Sequence, residues 1–175
     1  MKGANDGLWD WNLETNQVYY SPRWKNMLGF AEDELENNLD TWARLVHPDD
    51  KARVLKRVEN YLNGSDASYE IEMRMKHKEG REVVVLSRAF LVHRESDGKP
   101  IRLVGTHVDI TDRKRTHYFL EKNAEILKLI AKGVSAAEIY DQIALMYEGR
   151  HPGMRCSMLE LCLLYTSDAA DDETS

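Results

Sequence analysis

Six histidines, at positions 47, 77, 93, 107, 117 and 151, are the side chains best suited to acid–base or metal chemistry. No two stand at the helical spacing of a metal pair. Cys156 and Cys162 fit no zinc spacing and read as buried, reduced thiols rather than a disulfide. The chain has no glycine-rich phosphate loop and no Gly-x-Ser-x-Gly motif. His47 precedes Pro48 at a helix start, where a capping or surface role is expected. No catalytic residue and no metal ligand is therefore assigned, and the chain is expected not to be an enzyme. One further stretch demands an explanation. Residues 104–115 read VGTHVDITDRKR, an alternating apolar run that meets a block of charge with no glycine or proline between.

The bulk properties bound the setting. With 175 residues, 42% hydrophobic and 31% charged, the chain has room for one full domain and part of another. A net charge of −6 argues against non-specific binding to nucleic acid or anionic lipid. No apolar run approaches the ~18 residues of a membrane span, and no signal peptide opens the chain, so a cytoplasmic location is expected.

Several elements must position whatever site exists. GLWDWN (7–12) and QVYYS (17–21) read as short aromatic strands around a polar turn, with Trp9 and Trp11 on one face and Asp10 and Asn12 on the other. Ser21-Pro22 caps and opens a short helix that Gly29 stops. Asp40 or Thr41 is expected to cap a second. HPDDKARVLKRVENYLNG predicts a longer helix, with Pro48 at its start, Asp49 and Asp50 at its positive end and a stripe of Val54, Leu55, Val58 and Leu62. YEIEMRMK alternates, facing Tyr69, Ile71, Met73 and Met75 inward. EVVVLSRAFLVHR follows, apolar on both faces, so a helix or a partner is expected to cover its outer side. The last strand runs from Ile101 to Ile110. The sum is an α+β domain over about 4–112, a five-stranded antiparallel sheet with short helices on one face. A linker helix (113–133) and a partial helix-and-strand segment follow.

NDGLWDWNLETNQVYYSPRWKNMLGF, WARLVHPDD, the DGKPIRLVGTH hairpin and the closing Asp109-Ile110-Thr111 together resemble the PAS sensory domains, in family order across nearly all of 4–112. The resemblance implies that the last strand delivers a signal straight into an output helix, with Asp109, Ile110 and Thr111 as the junction. The residues can serve it: Thr111 can cap the new helix and Asp112 stands in its first turn. It also implies a pocket between sheet and helices. Some members hold haem, flavin or a metabolite there, but the core has no cysteine and the long helix no histidine, so neither haem nor flavin is expected. An unknown small molecule remains open. His107 shares strand parity with Gly105 and Asp109 and falls where flavin-binding relatives place a pocket-facing glutamine. With Trp9, Trp11, Tyr19 and Trp24 it is a candidate pocket wall, the alternative being a pocket filled by its own aromatic side chains.

Beyond the junction, Leu120, Ala124, Leu127 and Ala131 form a stripe at 3–4 spacing that serves either a dimer seam or packing on the next domain. Ser135 to Glu138 is a capping box opening another helix. Residues 134–162 resemble the first helices and strand of a GAF domain. The closing acidic stretch (163–175) reads as a disordered tail or as sequencing read-through. The whole is expected to be a fragment of a longer bacterial sensor. Its output would be a cyclic-di-GMP synthase or hydrolase, or a histidine kinase, with homodimerisation through the sheet or the linker helix. The rival is a constitutive dimerisation module that binds nothing.

Overall fold

The computed structural model describes residues 6–150 and 153–157. In chain order the elements are β1 (Asp6–Asn12), β2 (Val18–Tyr20), α1 (Pro22–Met27), α2 (Leu39–Leu45), α3 (Pro48–Leu62), β3 (Tyr69–Lys76), β4 (Glu82–His93), β5 (Pro100–Asp109), α4 (Thr111–Ala131) and α5 (Ala136–Arg150). They divide into two units, one ending at Thr116 and the other beginning at His117.

The first unit is a five-stranded antiparallel sheet in the order β2-β1-β5-β4-β3. The N-terminal and C-terminal strands are therefore neighbours, so Trp9 stands opposite Gly105 and Gly7 opposite His107. The period-two pattern sorts the faces. Tyr69, Ile71, Met73 and Met75 of β3 are buried, as are Val83 and Val85 of β4 and Leu103 of β5. Together with Trp9, Val18, Tyr20, Trp24, Leu28, Val46 and Val54 they make one core between the sheet and the short helices.

Local chemistry fixes the helix starts. Ser21 accepts the Trp24 N–H through its hydroxyl, with Pro22 at the first helical position. The cap of α2 is neither Asp40 nor Thr41: Asn38 Oδ1 accepts the Thr41 N–H at 2.9 Å, and α2 starts two residues before Thr41. His47 caps α3, its Nδ1 accepting the Asp49 N–H at 3.3 Å. The apolar stripe of α3 is narrower than its spacing suggests, since Val54 is fully buried but Leu55 is 49% exposed. Asp50 ties α3 to β3, accepting the Arg74 backbone N–H at 2.8 Å and its Nε–H at 3.0 Å. The Lys25 ammonium, also buried, donates to the carbonyls of Glu32 and Leu35 and so anchors the chain between α1 and α2.

The outer face of the sheet is covered unevenly. Near β3, Leu86 is buried and Lys114 of α4 bridges to Glu72 at 2.6 Å. Further along, Leu8 and Phe90 are exposed, flanked by the Arg88–Glu70 and Arg102–Asp10 pairs.

In the second unit Ile126 of α4 and Met146 of α5 are buried, while Leu120, Leu127 and Leu145 are exposed. The Ser135 hydroxyl accepts the Glu138 N–H at 3.4 Å, the first half of the expected capping box. Residues 153–157 form a turn and irregular chain. The strand expected there, Cys162 and the tail lie partly or wholly outside the described residues; Cys156 is a free thiol. No described helix is long and apolar enough to cross a membrane.

Candidate functional site

A cavity of about 60 Å³ lies between the sheet and the helices. Its wall takes Trp9 and Trp11 from β1, Val18 and Tyr20 from β2, Tyr69 from β3, Ser87 from β4, and Leu103 and His107 from β5. Leu39, Trp42, Leu55 and Val58 close the helical side. Leu55 is half exposed, so the cavity reaches the surface beside α3.

Strand pairing explains how these side chains meet. Gly105 has no side chain where Trp9 crosses β5: a Cβ there would stand 2.6 Å from the Trp9 ring and 2.3 Å from the Arg88 carbonyl oxygen. The indole therefore lies against the strand and leaves space above it. His107, two residues on, is tilted against Trp9 with ring centroids 5.6 Å apart. Its Nδ1 accepts the Trp24 Nε1–H at 2.8 Å, which fixes the neutral tautomer with the proton on Nε2. Burial pushes the imidazole down to about 3, so His107 is uncharged at neutral pH.

The other polar groups are also neutral. Burial raises the Tyr69 phenol to about 12. Tyr20, held well above its ordinary range by burial, donates to the Asn38 carbonyl at 3.1 Å. Trp11 donates its indole N–H to Asn16 Oδ1 at 2.9 Å. Trp9 Nε1 is buried and has no acceptor among the described residues.

Three of the five aromatic candidates read from the sequence line this cavity: Trp9, Trp11 and His107. Trp24 does not line it but stands behind His107, fully buried and stacked on Tyr20 at 4.1 Å. Tyr19 is a correction. It pairs with Asp10, 49% exposed on the opposite face, and Tyr20, the partner of Trp9, takes the inward place. Sequence reasoning missed the other nine cavity residues, among them Tyr20, Trp42, Leu55, Val58, Tyr69 and Ser87. Two of them carried a signal: Tyr69, inward by alternation, and Ser87, a hydroxyl on an inward position of β4.

The junction differs from the expected cap. Thr111 is the first residue of α4, and its hydroxyl accepts the Val84 N–H at 2.9 Å instead of a helix N–H. The Asp109 carboxylate accepts the Thr111 N–H at 2.8 Å. Ile110, buried, donates its backbone N–H to the Val84 carbonyl. The start of α4 is thus held to the interior strand β4 through both polar groups of Val84. Among the described residues no group of histidine, cysteine and acidic side chains could hold a metal ion.

A family model described as the PAS fold matches residues 17–107. The crystal structure of a sensory box histidine kinase/response regulator from Burkholderia thailandensis is 37% identical, with a TM-score of 0.60 over 72% of this chain and 92% of that one. The hybrid signal transduction histidine kinase A of Dictyostelium discoideum is 30% identical over 61% of this chain and 5% of its own length. A protein of Escherichia coli named probable diguanylate cyclase is 29% identical over 72% of this chain and 10% of its own length. The match therefore spans no more than about a tenth of these two relatives.

Proposed function

The chain belongs to the PAS fold family, and from that premise we propose that it is a sensory module that passes a signal through α4 to an output domain. The observation that carries this reading is the clamp on Val84. β5 enters α4 through Ile110 alone, and the first turn is bonded to β4 by a side chain and a backbone amide. A shift in β4 or β5 would reach the helix without a loop to absorb it. The module has no catalysis of its own and resides in the cytoplasm of a bacterium. Residues 134–162 open a GAF-like domain on the way to the output. The kinase and cyclase names among the relatives support a histidine kinase or a cyclic-di-GMP enzyme there. Dimerisation through the outer sheet face, where Leu8 and Phe90 are exposed, or through the Leu120–Leu127 stripe of α4 would complete the signalling unit.

The test is a chimera in which residues 1–132 drive a reporter kinase or cyclase in matched helical register. Thr111→Val leaves the Val84 N–H without its acceptor, and Asp109→Ala does the same to the Thr111 N–H, at about 1–3 kcal/mol each. Both variants should stay folded, melt a few degrees lower and change basal output. Unchanged output with intact α4 helicity would overturn the reading, and constitutive dimerisation would replace it.

A small molecule in the cavity is the signal, and neither haem nor flavin is that molecule. An apolar cavity of ~150 Å³ admits benzene, and this one is about 60 Å³. Residues 4–112 contain no cysteine, α3 contains no histidine, and His107 already uses Nδ1 as an acceptor. Purified protein is expected to show no visible absorption band. A stoichiometric visible chromophore would refute this.

A further inference from the structure

We propose that Lys114 and Glu72 form a charge latch through which α4 follows β3 and, behind it, the helix α3. The latch is a second connection into α4, separate from the clamp on Val84. It rests on the sensory reading only for what the movement signals.

The charged block after Asp109-Ile110-Thr111 is the starting point. Residues 113–115 read Arg-Lys-Arg at the opening of α4, where the helix dipole disfavours cations. Arg115 answers Asp112 within the helix at 3.8 Å, but Lys114 leaves it and meets the Glu72 carboxylate at 2.6 Å. Glu72 needs a cation that β4 does not supply. Its neighbour Glu70 stands opposite Arg88 and pairs with it, whereas Glu72 stands opposite Leu86. The latch spans β4, since that strand lies between β3 and β5, which leads into α4. Helix α4 is thus joined to three strands: covalently to β5, by hydrogen bonds to β4 and by charge to β3.

The backbone of Glu72 is held as well, by α3. Arg53 donates to the Glu72 carbonyl at 2.8 Å, and Asp50 accepts the Arg74 N–H at 2.8 Å. The same helix supplies Leu55 and Val58 to the cavity wall. A movement of α3 would shift Glu72 and pass to Lys114 without involving β5. The strength of the pair suits this role. Its side chains are 45% and 43% exposed, so their pairing is screened and alters a local equilibrium by no more than about fivefold. A contact of that size opens and closes readily, whereas breaking a buried pair is strongly destabilising.

Amide hydrogen exchange of the full chain reads the latch directly. Glu72→Gln and Lys114→Met keep the shape and remove one charge each. Either should speed exchange in the first two turns of α4 by about 1.5- to 5-fold, and the double variant should be no faster than the singles. Amides of the interior strand β5 should keep the parental rate. Lys114→Glu separates the latch from the dipole. An acid is favoured in a first helical turn, so the dipole alone gives slower exchange, while repulsion from Glu72 gives faster. Adding Glu72→Lys to Lys114→Glu should return the rate to about the parental one. Arg53→Met should speed exchange in α4 of the parent but not of Lys114→Met, where the connection is already cut.

Slower exchange in Lys114→Glu, or additive effects of Glu72→Gln and Lys114→Met, would overturn the latch. An Arg53→Met effect that is absent from the parent, or that persists in Lys114→Met, would overturn the path from α3. If Lys114→Glu leaves exchange unmoved while junction substitutions still change chimera output, the latch is wrong and the sensory reading stands. If exchange responds as expected but no substitution changes output, the latch stands without the sensory reading.

Discussion

Replacing Trp24 by alanine is expected to remove most of the stability of the sheet domain. The side chain has no exposed surface, stacks on Tyr20 at 4.1 Å and donates to His107 at 2.8 Å. Its backbone packs so closely on β1 that a Cβ at Gly7 would come within 2.6 Å of the Trp24 Cα. Truncating a buried aromatic costs about 3–5 kcal/mol, and an unpaired buried acceptor on His107 adds about 1–3 kcal/mol. Against a domain stability of about 5–15 kcal/mol, the variant should be marginal or unfolded at 25 °C. Trp24→Phe separates the two contributions, since it keeps most of the packing and loses only the donor. Adding His107→Leu to Trp24→Phe should restore part of that loss, because two apolar partners leave nothing unpaired. Urea unfolding followed by circular dichroism measures all three. A loss below about 1.5 kcal/mol in Trp24→Ala would mean that neighbouring side chains collapse into the space, contrary to the packing described.

The same residue shows where sequence reading reached and where it stopped. Periodicity placed β3 and the inward set of Tyr69, Ile71, Met73 and Met75, because eight alternating residues leave no second phase. Ser21-Pro22 and His47-Pro48 marked helix starts that the structure contains, since those caps depend on neighbours in the chain. Tyr19 went to the wrong face for the opposite reason. β2 has three residues, too few for alternation to set a phase, and its register comes from pairing with β1. Asn38 escaped notice because three polar side chains compete for one cap, and only the backbone path selects among them.

The cavity was legible in outline and not in detail. Trp9, Trp11 and His107 share a face by strand parity, so their meeting follows once β1 and β5 are neighbours. The bond from Trp24 to His107 joins residues 83 apart in the chain, and no local pattern encodes it. Trp42, Leu55 and Val58 look like ordinary apolar helix positions. They become cavity residues only because α2 and α3 stand off the sheet at that point. The junction was found as a motif, but the role of its threonine was not. A hydroxyl at a helix start usually caps that helix; here a strand amide 27 residues earlier in the chain is the nearer donor.

Acid should unfold this domain in two stages with separate causes. The His107 imidazole falls from an ordinary 6.5 to about 3 on burial, so the native state refuses a proton that the unfolded chain accepts. Stability depends on pH as the difference in bound protons, so it drops as pH falls below 6.5 and continues to drop towards 3. The slope is about 1.4 kcal/mol per pH unit, and the full window is worth roughly 3–5 kcal/mol. Asp50 acts lower. Side-chain hydrogen bonds from Arg74 hold its carboxyl at about 2 against an ordinary 3.8, so its contribution is intact above 3.8 and is lost as pH falls through 2. That contribution is about 1–2 kcal/mol, reduced by solvent screening because the partner Arg74 is 35% exposed. Urea midpoints taken from pH 7.5 to 4 should therefore fall mainly because of His107. In His107→Gln an amide oxygen can still accept the Trp24 N–H but cannot titrate, and the curve should flatten above pH 4. Asp50→Asn should lower stability by a near-constant amount at pH 5 to 7.5, and its curve should approach the parent's as the acid limit nears. An equal slope in His107→Gln and the parent would mean that the buried imidazole is not the acid-sensitive group, and that another carboxylate or histidine governs the first stage.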